Sequence, residues 1–402
     1  MSIFSFWKKD EGNKQDRQEP IASPPPPVTE PTRPMEWNTK FDDVLTCGRV
    51  QLSYWPNYSN PYQDMFYGRN APLFASEPET IFDAIARLKC GTSDHVCFHV
   101  HWLNFLFKSK NMDKVLHGIN EFISACEEFR AAGGTILWTV HNLQEHELVD
   151  GKIEASLRRS LSELASAIFV HGPAAHRDVI SELPGIESKI HIITHGSYIG
   201  FYADQVSPVE AKTRLGNSAD ETTFQSLGWV RKYKGLTLLC NAMDELNNVS
   251  VAAKLVIAGK VRDLDQEYFE NVFEKKKQID FYEGWVHDDD IQNYMNASDF
   301  MVLPYRASLT SGAAMLAFSF SIPIIAPAIG SFPELIEDGK NGFLYDPDYP
   351  DGLQKALRRA CSTTQHERAK MRVSAYETAS AHNWSTARFQ FFSVIDQLLR
   401  VA

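Results

Sequence analysis

At 402 residues and 44% hydrophobic side chains, the chain exceeds one typical domain and has enough apolar material for two cores. A net charge of −11 excludes a general nucleic-acid binder, whose phosphate contacts need a basic face. Six cysteines (Cys47, Cys90, Cys97, Cys126, Cys240, Cys361) are scattered without a CxxC pair and read as buried free thiols, no apolar run reaches the ~18–20 residues of a membrane span, and MSIFSFWKKD is too short in apolar residues for a signal peptide, so a cytoplasmic protein is expected.

Residues 1–37 are polar, charged and proline-rich, including SPPPPVTEPTRP, and lack a core pattern. They are expected to form a disordered tail. Its front end, IFSFWKK, sets large apolar side chains beside two lysines; it reads either as a membrane-surface foot or as an ordinary disordered terminus. Globular texture begins at Val44. VQLSYW (50–55) reads as a strand, PNYSNPYQ as a loop, and Ser76 to Leu88 as a helix. HVCFHVHW (95–102) reads as a strand, the residues from WLNFLFKSK to Gly133–Gly134 as a long helical region, and TILWTVH (135–141) as a strand. Ile153 to Ala167 looks helical, IFVHG (168–172) extended, Ala174 to Leu183 helical and KIHIITHG (189–196) extended. Strands alternating with helices predict a parallel αβ sheet.

The pattern restarts with TTFQSLGWV (222–230), followed by a helix from Gly235 to Leu246, the strand AKLVIAG (253–259), a helix from Gln266 to Lys277 and the strand IDFYEGWV (279–286). Asp288 to Asp290 open the next helix and read as caps that favour its dipole rather than as a metal cluster. FMVLPYRASLTSGAAMLAFSFSIPIIAPAIGSFPEL (300–335) then gives a short buried strand ended by Pro304, a polar loop, a small-residue helix from Gly312 to Phe320, a second strand over Ile322 to Ala326 and a second loop over Ala328 to Pro333. Ligands of an open parallel sheet sit beyond the carboxyl ends of its strands, where a starting helix directs free N–H groups at them. Thr310 and Ser311 stand at that helix start, to cap it or to donate hydroxyls to a phosphate. GFLYDP, a helix from Gly352 to Ala360 and an amphipathic closing segment after Trp384 complete the chain. The expected division is a tail over 1–37, an αβ domain over 38–205, a second over 206–383, and a helix over 384–402.

LGWVRKYKGL (227–236), LVIAG (255–259), FYEGWVHDDDIQNYMNASDFMVLPY (281–305) and SGAAMLAFSFSIPIIAPAIGSFPELIEDGKNGFLYDP (311–347) occur in this order over ~150 residues. In that order and spacing they resemble the C-terminal half of the group 1 glycosyltransferases, also called glycosyltransferase family 4. The first half is similar only in its αβ texture and in TVH (139–141). The resemblance implies the GT-B fold: two Rossmann-like domains flanking a cleft, the first binding the acceptor, the second binding a nucleoside diphosphate-sugar, and the last helix crossing back to the first. It implies donor diphosphate contacts from Arg231 and Lys234, with Lys232 as a solvent-facing spare, and from Thr310, Ser311 and Gly312. Two cations matched to a diphosphate also stabilise the leaving group, so neither metal nor cofactor is expected. The family's usual arginine after the glycine is replaced by Trp229.

The family's paired glutamates, aligned on IPIIA, fall on Ser308 and Leu316, which supply no carboxylate. Donor sugar and nucleotide contacts then pass to Ser308 and Glu334. His141 matches a histidine near the reacting sugar, with loop capping as its alternative role. In an inverting enzyme Glu145 or Glu147 is the candidate general base. His99, His101 and Asn142 are expected to line the acceptor cleft. The implied function is hexose transfer to a saccharide acceptor, carried on a polyprenyl diphosphate, in surface polysaccharide or exopolysaccharide assembly at the inner membrane face. WLNFLFKSK (102–110) offers a second candidate membrane surface, or else a buried segment with snorkelling lysines. The alternatives are an inverting GDP-mannose-dependent β-mannosyltransferase, to which YWPNYSNPYQ and HVHWL are faintly similar, another GT-B enzyme such as a nucleotide-sugar epimerase, or a non-catalytic nucleotide-sugar-binding subunit.

Overall fold

The computed structural model describes residues 50–57, 61–68, 76–91, 95–143, 151–248, 252–262 and 278–401. The proline-rich tail, the predicted helix over 266–277, Cys47, Glu145 and Glu147 lie outside these residues. The described chain forms two six-stranded, wholly parallel sheets. The first contains β1 (Val50–Trp55), β2 (Ser76–Pro78), β3 (His95–Val100), β4 (Thr135–Thr139), β5 (Ala167–Val170) and β6 (Ile190–Ile192), in the order β2-β1-β3-β4-β5-β6. The second contains β7 (Thr222–Leu227), β8 (Ala253–Gly259), β9 (Ile279–Glu283), β10 (Phe300–Val302), β11 (Ile324–Pro327) and β12 (Gly342–Tyr345), in the order β12-β11-β10-β7-β8-β9. In the second sheet strand order reverses between β7 and β10, which are paired at Phe300–Phe224 and Met301–Gln225. A crevice opens at such a point because the helices leaving the two strands run to opposite faces.

Burial explains why these segments are strands. AIFV in β5, TTFQSL in β7 and FMV in β10 are buried at every position, as parallel strands covered on both faces must be. The helix Gly312–Ser319 is apolar all round because it too is enclosed. The helix Trp384–Val401 places Phe391, Phe392 and Ile395 in one cluster with Leu52, Leu137, Phe169 and Ile193 of the first domain. Trp384 is the pin. Its indole Nε1 donates to the Ser197 carbonyl at 2.6 Å, and its ring lies where a side chain on Gly196 would have to go.

Several expected elements are corrected. WLNFLFKSK is not the start of a long helix: a short 3₁₀ turn covers Asn104–Phe107, and the helix begins only at Met112, capped by Asn111. Leu103, Phe105 and Phe107 are buried in the first core, and Lys108 lies 3.9 Å from the centre of the Phe105 ring. Those three apolar side chains serve the core, as the alternative of a buried segment with outward lysines expects. The helix expected from Ser76 is the short edge strand β2 followed by Ile81–Cys90, which a Thr80–Asp83 capping box starts. Phe332–Leu335 is a helical turn rather than loop. Asp288 to Asp290 fill the first turn of their helix, but His287 occupies the N-cap. Cys90 is exposed; Cys97, Cys126 and Cys240 are buried. Among the described residues no helix is long and apolar enough to cross a membrane.

Candidate functional site

The second sheet contributes two loops at its strand reversal. After β7, Gly228 turns the chain at φ 102°, and a single 3₁₀ turn over Lys232–Lys234 ends at Gly235 with φ 68°. Only glycine fits there: besides the left-handed backbone, a Cβ would collide with the Pro304 carbonyl of the loop after β10. The two loops are further joined by Arg306 N–H donating to the Tyr233 carbonyl at 3.0 Å and by the Tyr233 and Tyr305 rings at 5.7 Å. This close fit carries Lys234 inward. Its side chain is 8% exposed, its ammonium lies 5.8 Å from the Tyr305 ring centre, and no carboxylate pairs with it among the described residues. Burial, then the neighbouring Arg231, push its pKa down to about 8. Lys232 is exposed. A buried ammonium that no carboxylate pairs among the described residues, with a guanidinium beside it, makes a site that an anion would stabilise.

The loop after β10 leads to the helix Gly312–Ser319. Ser311 is its N-cap, 3% exposed, with Oγ accepting from Ala314 N–H at 3.2 Å. Its hydroxyl proton and the remaining first-turn N–H groups are what it can offer a ligand. The Ser308 and Ser331 hydroxyls are buried without hydrogen-bond partners among the described residues. Gly330, at φ 51°, allows the chain to cross the Ser308 carbonyl there. An aromatic shelf lies beside this crevice and was not foreseen from sequence. Trp229 follows β7, Arg262 follows β8 and Trp285 follows β9. The two indoles are 5.9 Å apart, Arg262 lies 5.2 Å and Arg231 5.9 Å from the Trp229 ring, and Trp285 is 60% exposed. An exposed indole beside guanidinium groups suits a flat heteroaromatic ring. EGWV reads as strand core, so the outward position of Trp285 was hidden.

The first domain gathers five histidines at the carboxyl end of its sheet: His99 in β3, His101 just after it, His141 after β4, His171 after β5 and His195 after β6. His99 and His101 do not line the cleft, as was expected of them; at 0% and 2% exposure they lie inside, and His101 Nδ1 meets His141 Nε2 at 3.0 Å. Trp102 stacks on His141 at 4.3 Å. Arg158, fixed by Glu154 through two hydrogen bonds, donates to the Asn142 carbonyl at 2.7 Å and so holds the backbone beside His141. Arg158 was also missed, because its partner lies sixteen residues away across the sheet edge. All five imidazoles are held neutral. Burial is the main cause, their mutual repulsion the second for all but His195, and the values fall to about 3 for His171 and about 4 for His195. No group of histidines, cysteines and carboxylates among the described residues is arranged to hold a metal ion.

Glu334, expected at the donor, crosses between the domains instead. Its carboxylate accepts from Ala174 N–H at 2.5 Å, in the first turn of the helix Pro173–Glu182, and lies 3.9 Å from Arg177. Gly172 is the residue that leaves room for it. Leu309 joins the first domain's core and Tyr198 N–H donates to Ser319 Oγ at 2.9 Å, so the loops of the second domain are docked against the histidine edge. A second basic concavity lies at the amino end of β12. Its Lys340, Lys355 and Arg359 are paired with Glu337, Asp351 and Asp338, which leaves it less suited to an anion.

A family model described as Glycosyl transferases group 1 matches residues 222–363, the segment that carries both crevice loops. The chain is 22% identical over 262 residues to GDP-mannose:glycolipid 4-beta-D-mannosyltransferase of Xanthomonas campestris, covering 64% of this chain and 69% of that protein. It is 23% identical over 239 residues to the sulfoquinovosyl transferase SQD2 of Arabidopsis thaliana, covering 58% of this chain and 44% of that one. Among solved structures, Anabaena Alr3699/HepE in complex with UDP and glucose superposes with a TM-score of 0.63 at 14% identity, over 87% of this chain and all of that one. Sucrose-phosphate synthase from Thermosynechococcus elongatus gives 0.61 at 14% identity, over 88% and 100%.

Proposed function

We propose that this group 1 glycosyltransferase of the GT-B fold moves a hexose from a nucleoside diphosphate-sugar to a saccharide acceptor carried on a lipid, at the inner face of the membrane that supplies it. The carrying observation is the convergence of Arg231 and buried Lys234, without a carboxylate for the lysine, on the crevice that also receives the helix start at Gly312. The donor diphosphate lies between them, the nucleobase on the Trp229–Trp285 shelf, and the sugar toward Ser308, Ser331 and His141. Charge developing on the leaving diphosphate is met by the two cations and the N–H groups of the helix start. The Xanthomonas relative's use of GDP-mannose with a glycolipid supports a second reading within the class, β-mannosyl transfer with inversion. The absence of carboxylates at Ser308 and Leu316 is in keeping with it.

Titration calorimetry tests the first reading. Arg231→Ala and Lys234→Ala should each weaken UDP or GDP, whichever the wild type binds, by roughly ten- to a hundredfold, with a non-additive double variant and little effect on the nucleoside or of EDTA. The pH dependence adds a second signature. A bound diphosphate raises the pKa of Lys234 from about 8, so affinity should be flat between about pH 7 and 8 and fall about tenfold per unit above it. Lys234→Ala should abolish that slope. Unchanged diphosphate affinity in a folded double variant overturns the site.

A further inference from the structure

Behind His141 runs an unbroken chain of hydrogen bonds. Thr139 Oγ1 meets His99 Nε2 at 2.8 Å, His99 Nδ1 meets the Tyr67 hydroxyl at 2.7 Å, that hydroxyl meets His101 Nε2 at 2.5 Å, and His101 Nδ1 meets His141 Nε2 at 3.0 Å. Every member is buried, and none of the histidines makes an ion pair among the described residues. A neutral imidazole has one N–H and one bare nitrogen, and a phenol has one hydrogen. Tyr67, placed between two histidines with no other acceptor for its hydroxyl among the described residues, uses its hydrogen only by donating to one histidine and accepting from the other. Each histidine, bonded at both nitrogens, passes the choice along. Only two patterns satisfy all four contacts and also use the Tyr67 hydrogen, which would otherwise be buried without an acceptor. In one, every donor points toward His141, whose Nε2 accepts and whose Nδ1 carries the hydrogen. In the other, His141 donates from Nε2 and its Nδ1 is bare. Exchanging the patterns moves one proton across each hydrogen bond: as one leaves His141 Nδ1 another enters at Thr139, or the reverse, so each histidine keeps one ring hydrogen and the chain gains or loses no net proton.

We propose that Tyr67 is a positioning residue that couples the tautomer of His141 to this chain, so that His141 offers the cleft either an N–H or a lone pair without changing charge. Nδ1 is the nitrogen of His141 without a protein partner among the described residues. A phosphate or sugar oxygen that accepts selects the first pattern, and a hydroxyl that donates selects the second. A lone buried histidine would have to become charged to take both parts, against the desolvation that keeps this cluster neutral. The proposal rests on the reading that His141 faces the reacting sugar, and the following test separates the two.

The test uses the full chain labelled with ¹⁵N-histidine, with the His141 ring signals identified by their loss in His141→Gln. Ring ¹⁵N shifts report which nitrogen is bare. Tyr67→Phe removes the central hydroxyl, and Thr139→Val removes the far end, three groups away from His141. Each should change the tautomer ratio at His141 roughly fivefold, the weight of one hydrogen bond, at unchanged nucleoside diphosphate affinity. An unchanged ratio in folded Tyr67→Phe overturns the proposal; if that variant does not fold, an unchanged ratio in Thr139→Val does so. If the ratio shifts and kcat with the preferred sugar nucleotide falls about tenfold or more, both the chain and the role of His141 stand. If the ratio shifts and kcat does not, the chain stands and the placement of His141 at the reacting sugar falls.

Discussion

His141→Ala should lower kcat by roughly ten- to a thousandfold while leaving donor affinity within about threefold. The split follows from position. The diphosphate cations lie on the second sheet, whereas His141 stands on the first, 6% exposed, with Trp102 stacked on its ring and Arg158 fixing the adjacent backbone. A group held this firmly contributes when charge or a proton moves, because no reorganisation is needed at that moment. Loss of a contact made only in the transition state lowers kcat and kcat/KM together. Steady-state kinetics beside a binding isotherm for the unreacted donor measure both quantities. Normal turnover with the loop intact would return His141 to a capping role, and raised KM at normal kcat would make it a binding residue.

Below about pH 6.5 the fold should lose stability steeply. His99, His101, His141, His171 and His195 all have folded-state pKa values below the ordinary 6.5. Between the folded and unfolded values the unfolded chain binds more protons, so stability rises with pH and is lost as pH falls through this window. Each such histidine contributes a slope approaching 1.4 kcal/mol per pH unit, so five contribute up to about 7. Domain stabilities are of order 5–15 kcal/mol, so acid unfolding should be largely complete within about two units, before most carboxylates titrate. Urea unfolding followed by circular dichroism between pH 8 and 5 measures the slope. A constant urea midpoint across that range would show that the cluster is hydrated or already charged.

How much of this was legible in the sequence varied with the physics. Parallel strands buried on both faces leave continuous apolar runs such as LVIAG and FMVLP, so the two αβ halves could be read directly. The places of Arg231, Lys234 and Ser311 in the loops after β7 and β10 could be read because each loop follows its strand directly in sequence, whereas their proposed role came from the family resemblance. Trp285, Arg158 and Tyr67 were not, since their roles depend on pairings across sheet edges that no local pattern encodes. His99 and His101 were correctly placed on one face, but period-two alternation does not say whether that face meets solvent or the Trp384–Val401 helix. Glu334 shows the same limit. Its neighbours in sequence belong to the second domain, and its hydrogen-bond donor, Ala174, belongs to the first.

The return of the last helix to the first domain has a consequence for how the chain is made. Leu52, Leu137, Phe169 and Ile193 share one cluster with Phe391, Phe392 and Ile395, which leave the ribosome about two hundred residues after Ile193. The first half therefore cannot finish folding while the second is being synthesised, in contrast to the usual order in which domains fold in turn. Its apolar face, with the uncharged imidazoles beneath it, waits until the helix Trp384–Val401 has been made. Stalled nascent chains ending at Ala381 should remain sensitive to protease throughout the first sheet, and full-length chains should not; equal resistance would mean that the early half closes by itself.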